Sequence, residues 1–318
     1  MPVLLLNEQD VRQVLTMDMA LEAVEDVLKQ LAVDEAHNIP RARSQTDQAT
    51  LHLMGASAKK LGVMGYKAYS SSKQGARFHV GLFDGKSGAL LAMMEADYLG
   101  QVRTGAASGV ATQYLARPDA SEVGVFGSGK QARTQVQAVC KVRKVRRVQV
   151  YSPSVERRTA FAREMTTLCQ TEVEPVPRPE LAAEDKDIVI TATASREPVL
   201  NGNWLSEGTH LNVIGSNYLT KVEVDAAAVR RCDSIVVDSK DQARLEAGDF
   251  VQPLEDGSIH WADIHELGHV IVGRYTGRAH PEDVTMFKSL GLAAEDVAVA
   301  ARIYAAAQAQ GVGKMMEW

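Results

Sequence analysis

A glycine-rich turn in the middle of the chain constrains the fold more than any other feature. Residues 123–126 form a short apolar run typical of a strand, and Gly127 to Ala132 follow it at the start of a helix. The first glycine permits a tight turn, and Gly129 lets the backbone approach a pyrophosphate. The small Ala132 allows close helix–strand packing, and a helix N-terminus attracts phosphate. The turn therefore predicts dinucleotide binding, and a turn without a ligand is the alternative.

Strands and helices alternate after this turn. Further strands are predicted at residues 147–151, 187–191, 211–214 and 234–237, with helices or loops between them. Such alternation is typical of α/β proteins. It predicts a Rossmann domain, with a doubly wound parallel sheet, over residues 118–292.

The first part of the chain has a different pattern. A helix capped by Thr16 precedes strands between residues 50 and 94, which suit a mostly antiparallel sheet. A helix over residues 104–116 ends this part. The pattern predicts a mixed α+β domain over residues 1–117, which we expect a C-terminal helix within residues 293–318 to join.

Charge and cysteine content narrow the function classes. A formal net charge of −5 argues against nucleic acid or an acidic membrane as the main partner. The three cysteines are odd in number and far apart in sequence, which favours a reducing compartment. No apolar run has the length of a signal peptide core or a membrane span, so we expect a cytoplasmic protein.

One motif suggests a metal site. Residues 265–269 match H-E-x-x-H, a zinc-protease pattern. Gly268 weakens the helix that would place both histidines on one face, and Tyr275 stands where an extended motif has a third histidine. We therefore expect no metal here.

The end of the second Rossmann strand bears on the type of dinucleotide. An acidic residue there would hold the ribose hydroxyls of NAD, but this chain has Ser152 and Ser154, followed by Arg157 and Arg158. Hydroxyls and an arginine can bind a 2′-phosphate. The sequence favours NADP(H) over NAD(H), and the alternative is that both arginines face solvent.

Two further segments carry cations that are candidates for binding an anion or for catalysis. Arg103 and Thr104 are predicted at the start of a helix, where they would form an anion site or an ordinary cap. Lys67 lies in an otherwise apolar or aromatic strand, where most lysines point outward.

Several motifs are specific in combination. They are Ile39-Pro40-Arg41, Gly65-Tyr66-Lys67, Glu95-Ala96-Asp97, residues 102–107, 114–117, the glycine-rich turn, and residues 208–216, 237–239, 287–292 and 296–300. Together they resemble the ornithine cyclodeaminase/mu-crystallin family, which includes archaeal-type alanine dehydrogenases and ketimine reductases. The resemblance implies a homodimer formed through the first domain, with an active site in the cleft between domains.

The resemblance also implies roles for individual residues. Arg41, Lys67 and Arg103 would clamp a substrate carboxylate beside the nicotinamide, and Lys67 would supply or relay a proton. Leu290 falls at a substrate-contacting position. Positions that contact the dinucleotide in relatives correspond here to Thr104, Gly127, Ser128, Gly129, Lys130, Gln131, Ser152, Thr193, Val213, Ile214, Lys221 and Ser289.

Two residues depart from the family pattern. Ornithine cyclodeaminases carry a catalytic glutamate where this chain has His52, and cyclodeaminases and alanine dehydrogenases carry an aspartate where it has Asn217. An amide cannot act as a general base. Arg77 and His79 alternate along one strand and are predicted to point into the same pocket near His52, where they would suit a substrate with a second acidic group. The alternative is that both face solvent.

These departures favour reduction of a preformed imine over release of ammonia. The leading prediction is an NAD(P)H-dependent reductase of a ketimine or cyclic imine, acting at the Cα–N bond and producing an L-amino acid. Ornithine cyclodeaminase and alanine-type dehydrogenase are alternatives. A non-catalytic binder of NADPH and a small ligand, similar to mu-crystallin, is another.

Overall fold

The computed structural model describes residues 2–317. The first elements are β1 Pro2–Leu6, α1 Glu8–Val14, α2 Met17–Ala32, β2 Ala36–Gln45, β3 Ala49–Ala58, β4 Val63–Ser72, β5 Gly75–Asp84, β6 Leu90–Glu95 and α3 Asp97–Leu115. The next are β7 Glu122–Phe126, α4 Lys130–Val142, β8 Arg147–Tyr151, α5 Val155–Cys169, β9 Glu172–Pro175, β10 Ile188–Thr191, β11 His210–Val213, α6 Ala226–Arg230, β12 Ser234–Val237, α7 Lys240–Glu246 and α8 Val251–Glu255. The last are β13 Ile264–Glu266, α9 Leu267–Ile271, β14 Thr285–Lys288, α10 Ala293–Gln310 and β15 Lys314–Glu317, and short 3₁₀ turns occur at Pro179–Ala182, Gly202–Trp204 and Gly248–Phe250.

The chain divides into two compact units. Unit 1 contains the residues up to Arg103 together with those from Gly291 onward, and unit 2 is Thr104–Leu290. The boundaries predicted from sequence, 117/118 and 292/293, differ from this division mainly within α3, whose second half lies in unit 2.

Unit 1 contains a seven-stranded sheet in the order β15-β1-β6-β5-β4-β3-β2. Its pairs are antiparallel except β1 with β6, so the predicted antiparallel sheet is confirmed, and β1, β2 and β15 extend it. The Thr16 hydroxyl caps α2 by accepting from the Met19 amide at 3.2 Å, as predicted. Helix α10 belongs to this unit and packs on β3 and β4.

Unit 2 contains an eight-stranded parallel sheet in the order β13-β12-β14-β11-β10-β7-β8-β9. The predicted doubly wound sheet is therefore confirmed. The order in which strands are added reverses at β7: β8 and β9 follow on one side of it, and β10 and β11 on the other. Ligands of such sheets bind at the carboxyl ends of the strands at this switch point.

The prediction for α3 was wrong at its start. The helix begins at Asp97, so Thr104 lies inside it and the proposed helix-terminal anion site does not exist. The reason is a cap from another element: the Glu8 carboxylate accepts from the amides of Asp97, at 2.5 Å, and Tyr98. A carboxylate 89 positions away satisfies the free amides of the first turn, and no local pattern shows it.

The H-E-x-x-H motif does not lie on one helix. His265 and Glu266 are in β13, and His269 is in α9. The ring of His265 stacks on Tyr275 at 3.5 Å, and Glu266 accepts from the Lys240 amide. Among the residues that the structure describes, no helix is long and apolar enough to cross a membrane.

Candidate active site

The glycine-rich turn of unit 2 has the geometry of a phosphate cradle. Gly127 adopts φ +110°, and a Cβ there would lie 2.4 Å from the Ala192 carbonyl oxygen, so only glycine fits. Gly129 is the N-cap of α4, no side chain caps that helix, and a Cβ at Gly129 would meet no atom within 4 Å. Exposed helix amides beside open space fit the pyrophosphate of a dinucleotide.

A cleft of about 410 Å³ opens at this turn, within unit 2. The predicted residues that line it are Gly127, Ser128, Gly129, Ser152, Ser154, Arg157 and Thr193. The hydroxyls of Ser128 and Ser152 lie 3.0 Å apart and connect the turn to the end of β8. Lys130 and Gln131 are the first two residues of α4.

The end of β8 differs from the sequence interpretation in two ways. Arg158 is only partly exposed: its guanidinium donates to the Ser152 carbonyl at 2.8 Å and lies over the Tyr151 ring. A carboxylate is also present, because the Ser154 hydroxyl donates to Glu156 at 2.9 Å. Of the two arginines, Arg157 is the exposed one. A 2′-phosphate here would meet Arg157 and the serines but also the negative charge of Glu156.

A buried carboxylate that the sequence analysis missed fixes the ends of β10 and β11. Glu223 accepts from the Thr193 amide and hydroxyl, both at 2.7 Å, and from the Gly215 amide. Burial raises the pKa of Glu223. The carboxylate thus holds Thr193 and the loop after Val213 and Ile214, which are predicted cofactor contacts.

The neighbouring loops are held in the same manner. Lys288 has no exposed surface; its ammonium pairs with Asp249 at 2.8 Å and donates to the Ser216 carbonyl, next to Asn217. Asp238 accepts from the Leu290 amide at 2.7 Å and the Ser289 hydroxyl at 3.3 Å. Lys221 lies over the Tyr218 ring in the same loop region. Charged residues surrounded by apolar runs were the available sequence signal for these residues.

Three cations of unit 1 lie in one buried cluster. Lys67 pairs with Asp296 at 2.7 Å. Arg103 contacts Asp296 at 3.1 Å and Glu295 at 2.8 Å. Arg41 donates to the Gly291 carbonyl at 3.3 Å. All five side chains are buried, so Lys67 does not point outward as most lysines in strands do.

The two carboxylates of this cluster were assigned no role from the sequence, although Asp296 begins one of the family motifs. Glu295 and Asp296 occupy the first turn of α10 and are fully buried in a helix that is otherwise rich in alanine and valine. Acidic residues within such an apolar segment were the available signal. Buried guanidinium and ammonium groups can form strong charge-assisted hydrogen bonds with a carboxylate.

The surroundings of Lys67 make its ammonium more acidic than usual. Burial lowers its pKa to about 8, although Asp296 acts in the opposite direction. Burial also acts against the charge of Arg103, but Asp296 and Glu295 outweigh it and raise its pKa. At neutral pH Lys67 is therefore mostly protonated, and it is far more acidic than an ordinary lysine.

The pocket predicted around Arg77 and His79 was wrong. In β5, Phe78 is paired with Tyr69, which is paired with His52, and the three rings stack on one face of the sheet. Side chains alternate along a strand, so Arg77 and His79 point to the opposite face, where both are exposed. The sequence showed that side chains alternate between the two faces of this strand, but it did not show how the strand aligns with its neighbours.

The two units define a class of protein: a Rossmann-type dinucleotide-binding unit combined with a mixed α+β unit that carries a cluster of buried cations. The sequence model of the ornithine cyclodeaminase/mu-crystallin family matches residues 2–311. The chain therefore belongs to this family.

Individual relatives are similar over the full chain. The Delta(1)-pyrroline-2-carboxylate reductase of Bacillus cereus is 32% identical over 328 residues, covering 100% of both chains. The Thermococcus litoralis Delta(1)-pyrroline-2-carboxylate reductase in complex with NADH and L-proline is 35% identical, with a TM-score of 0.93 over 98% of this chain and 99% of that one. The iminosuccinate reductase of Paracoccus denitrificans in complex with NAD⁺ is 27% identical, with a TM-score of 0.94 over 100% of both chains.

Proposed function

We propose that this protein is an NAD(P)H-dependent imine reductase that converts an α-imino acid, cyclic or acyclic, to an L-amino acid. The observation that carries the proposal is the buried cluster of unit 1, in which Lys67 pairs with Asp296 beside Arg41 and Arg103. The dinucleotide cleft of unit 2 supplies the other requirement of a reductase. The names of the relatives agree with this reaction class.

Each residue of the cluster has a physical task in this reaction. Arg41 and Arg103 hold the substrate carboxylate through charge-assisted hydrogen bonds, which fixes the position of the imine carbon. The bound nicotinamide supplies the hydride for that carbon. Lys67 holds the proton required at the imine nitrogen, and its pKa of about 8 suits donation near neutral pH. Asp296 keeps Lys67 protonated and oriented.

Two residues favour imine reduction over release of ammonia. Burial, Arg43 and Arg41 lower the pKa of His52 to about 4, so its imidazole is neutral and only weakly basic at pH 7. Asn217, in the loop after β11, has no carboxylate to accept a proton. A cyclodeaminase needs a base to deprotonate its amine substrate, and a reductase acting on a protonated imine does not.

The test is oxidation of NADPH and NADH against a panel of imines: 1-pyrroline-2-carboxylate, 1-piperideine-2-carboxylate, and pyruvate, glyoxylate or oxaloacetate with ammonium. Turnover with any imine supports the proposal. Ammonia release from ornithine without net cofactor oxidation, with every imine inert, would instead identify a cyclodeaminase. Tight cofactor binding without any turnover would identify a binding protein.

We further propose that NADP(H) is used in preference to NAD(H). Arg157, Ser152 and Ser154 line the cleft where a 2′-phosphate would lie, and they offer one cation and two hydroxyls. Glu156 limits the preference because its carboxylate is bonded to Ser154. Comparing kcat/KM for NADPH and NADH in the wild type and in Arg157→Ala tests this proposal, since the variant loses the preference if Arg157 causes it.

We also propose a homodimer formed through the outer face of the unit 1 sheet. Four exposed apolar side chains point to this face: Ile39, Leu51, Leu53 and Met64. In β3, Leu51 and Leu53 alternate with the buried His52 and Met54, so they point to the opposite face from those two residues. Ile39 and Met64 pair with Gly55 and Ser57, which lie on the same face as Leu53. A contiguous exposed apolar face is typical of an interface. Light scattering on Leu53→Glu tests it: loss of the dimer supports the proposal, and a monomeric wild type contradicts it.

A reducing, cytoplasmic location is proposed as well. Cys140 and Cys169 are free thiols, and their mutual hydrogen bond, together with burial, raises the pKa of Cys140. Neighbouring thiols of this kind persist in a reducing compartment. Fractionation of cells that produce the protein, with thiol labelling of this pair, tests the location.

A further inference from the structure

Two cysteines of unit 2 lie side by side near the carboxyl ends of neighbouring helices. Helices α4 and α5 connect consecutive parallel strands, so they run in the same direction along one face of the sheet, and they pack on each other. Arg133, near the start of α4, lies over the Phe161 ring of α5 and pairs with Glu164 at 2.8 Å. Cys140 and Cys169 lie about two turns further along the two helices. The alignment of the helices therefore brings the two thiols together.

The surroundings of this pair combine contact with access to solvent. Both cysteines pack against the same core cluster, which includes Val139 and Met165, and both are only half-buried. The Cys140 thiol donates a hydrogen bond to the Cys169 sulfur, which lowers the pKa of Cys169. A sulfur with a lowered pKa that solvent can reach is a nucleophile, and a second thiol beside it can resolve the product. The pair thus has both parts of a redox-active dithiol.

The remaining cysteine has a different environment. The Cys232 thiol donates to the Ala228 carbonyl at 3.2 Å, and burial raises the pKa of Cys232. A thiol that stays protonated is a poor nucleophile. Cys232 therefore provides an internal reference for any reaction of the pair.

We propose that Cys140 and Cys169 form a reversible oxidation site, which a hydroperoxide converts to a disulfide. The Cys169 thiolate attacks the terminal oxygen of ROOH; Cys169 becomes a sulfenic acid, and the alkoxide RO⁻ takes up the proton that the thiol had lost. The Cys140 sulfur then attacks the sulfenic sulfur, the S–S bond forms, and the hydroxyl group leaves with the Cys140 proton as water. The two thiols are oxidised by two electrons, and the O–O bond is reduced. A dithiol reductant reverses the change by thiol–disulfide exchange.

The position of the pair suits protection of the protein without loss of cofactor binding. Cys140 lies about 16 Å along α4 from Gly129, the cap at the phosphate cradle, so the disulfide forms away from the cradle. It links the two helices whose first residues frame the dinucleotide cleft, α4 after Gly129 and α5 after Ser154. A covalent link between distant residues also restricts the unfolded chain. We expect the oxidised protein to bind dinucleotide as the reduced protein does and to unfold at a higher temperature.

The experiment treats the full chain with hydrogen peroxide, alkylates the remaining thiols and maps the cysteines by mass spectrometry. The wild type should give a cross-linked peptide pair that contains Cys140 and Cys169, with Cys232 still a thiol, and dithiothreitol should restore both thiols. In Cys140→Ser the sulfenic acid has no resolving thiol, so Cys169 should proceed to the sulfinic acid, which dithiothreitol does not reverse. Cys232→Ser is the matched control and should form the same disulfide as the wild type.

The remaining readouts test the geometry and the consequence. The unfolding temperature of the oxidised wild type should rise by about 5 °C or more, and the affinity for NADPH should not change. The inference is wrong if peroxide leaves both thiols unlinked, oxidises each separately or links two chains. A disulfide that lowers the unfolding temperature also contradicts it, because the helices would then have to move to form the bond. No readout uses turnover of an imine, so failure of the proposed function leaves this inference standing.

Discussion

The substitution Asp296→Asn tests the electrostatic role of the buried cluster directly. Asp296 is the carboxylate that pairs with Lys67, at 2.7 Å, and both side chains are almost completely buried. Removing one partner of a buried ion pair costs about 3–5 kcal/mol when the other stays charged. Lys67 can escape this cost by losing its proton, and each pKa unit is equivalent to about 1.4 kcal/mol. The pKa of Lys67 should therefore fall by about two units or more, from about 8 to about 6 or lower.

The pH profile of kcat/KM with 1-pyrroline-2-carboxylate is the measurement. The reductase needs protonated Lys67, so its activity is constant below the pKa and declines above it. The decline near pH 8 in the wild type should move to about pH 6 in Asp296→Asn. Glu295→Gln is the matched control: Glu295 pairs with Arg103 and not with Lys67, so the decline should stay near pH 8 even where activity drops.

The result that refutes this reasoning is a folded, cofactor-binding Asp296→Asn enzyme whose decline remains near pH 8. The decline would then report a group other than Lys67. A profile that moves equally in Glu295→Gln would also contradict it, because the effect would come from the net charge of the cluster rather than from the pair.

Three further predictions concern unit 2. Gly127→Ala should lower the free energy of unfolding by about 2 kcal/mol or more, because Gly127 has φ +110° and a Cβ there would lie 2.4 Å from a carbonyl oxygen. Gly129→Ala should leave the free energy of unfolding nearly unchanged and weaken NADPH binding. Chemical denaturation measures the first effect, and fluorescence titration with NADPH measures the second. Glu156→Gln should raise the NADPH/NADH ratio of kcat/KM about threefold to tenfold, since it removes a negative charge bonded to a residue of the cleft, and an unchanged ratio would exclude a phosphate near it. Glu223→Gln should weaken dinucleotide binding about tenfold, because an amide cannot accept all the hydrogen bonds that the carboxylate accepts; binding equal to wild type would show that these loops are held by other groups.

Local sequence patterns determined the dinucleotide-binding unit. The tight turn depends on glycines at two positions that are close together in the sequence. Each strand and each helix of this unit shows its own local pattern of apolar residues. Both features can therefore be predicted from residues that are near neighbours in the chain. The cap of α2 by Thr16 is local for the same reason. The parallel sheet and the phosphate cradle could thus be predicted before any contact between distant residues was known.

The resemblance identified the cations of unit 1, but not what surrounds them. Lys67 and Asp296 are 229 positions apart in the chain, and their pairing exists only because α10 packs on β4. The burial that lowers the pKa of Lys67 has the same origin. Without the pairing, Asp296 is only the first residue of a family motif, and no sequence pattern places Glu295 in a site.

Tertiary structure alone also decided which face each strand residue occupies. A shift of one residue in strand register moves a side chain to the other face of the sheet. The register found here places Arg43 on the same face as His52 and Arg77 on the opposite face. The start of α3 was decided likewise by Glu8, a cap from another helix. Sequence patterns determine structure where the determining contacts are between near neighbours, and here the charges, the faces and one helix end depend on contacts between distant segments.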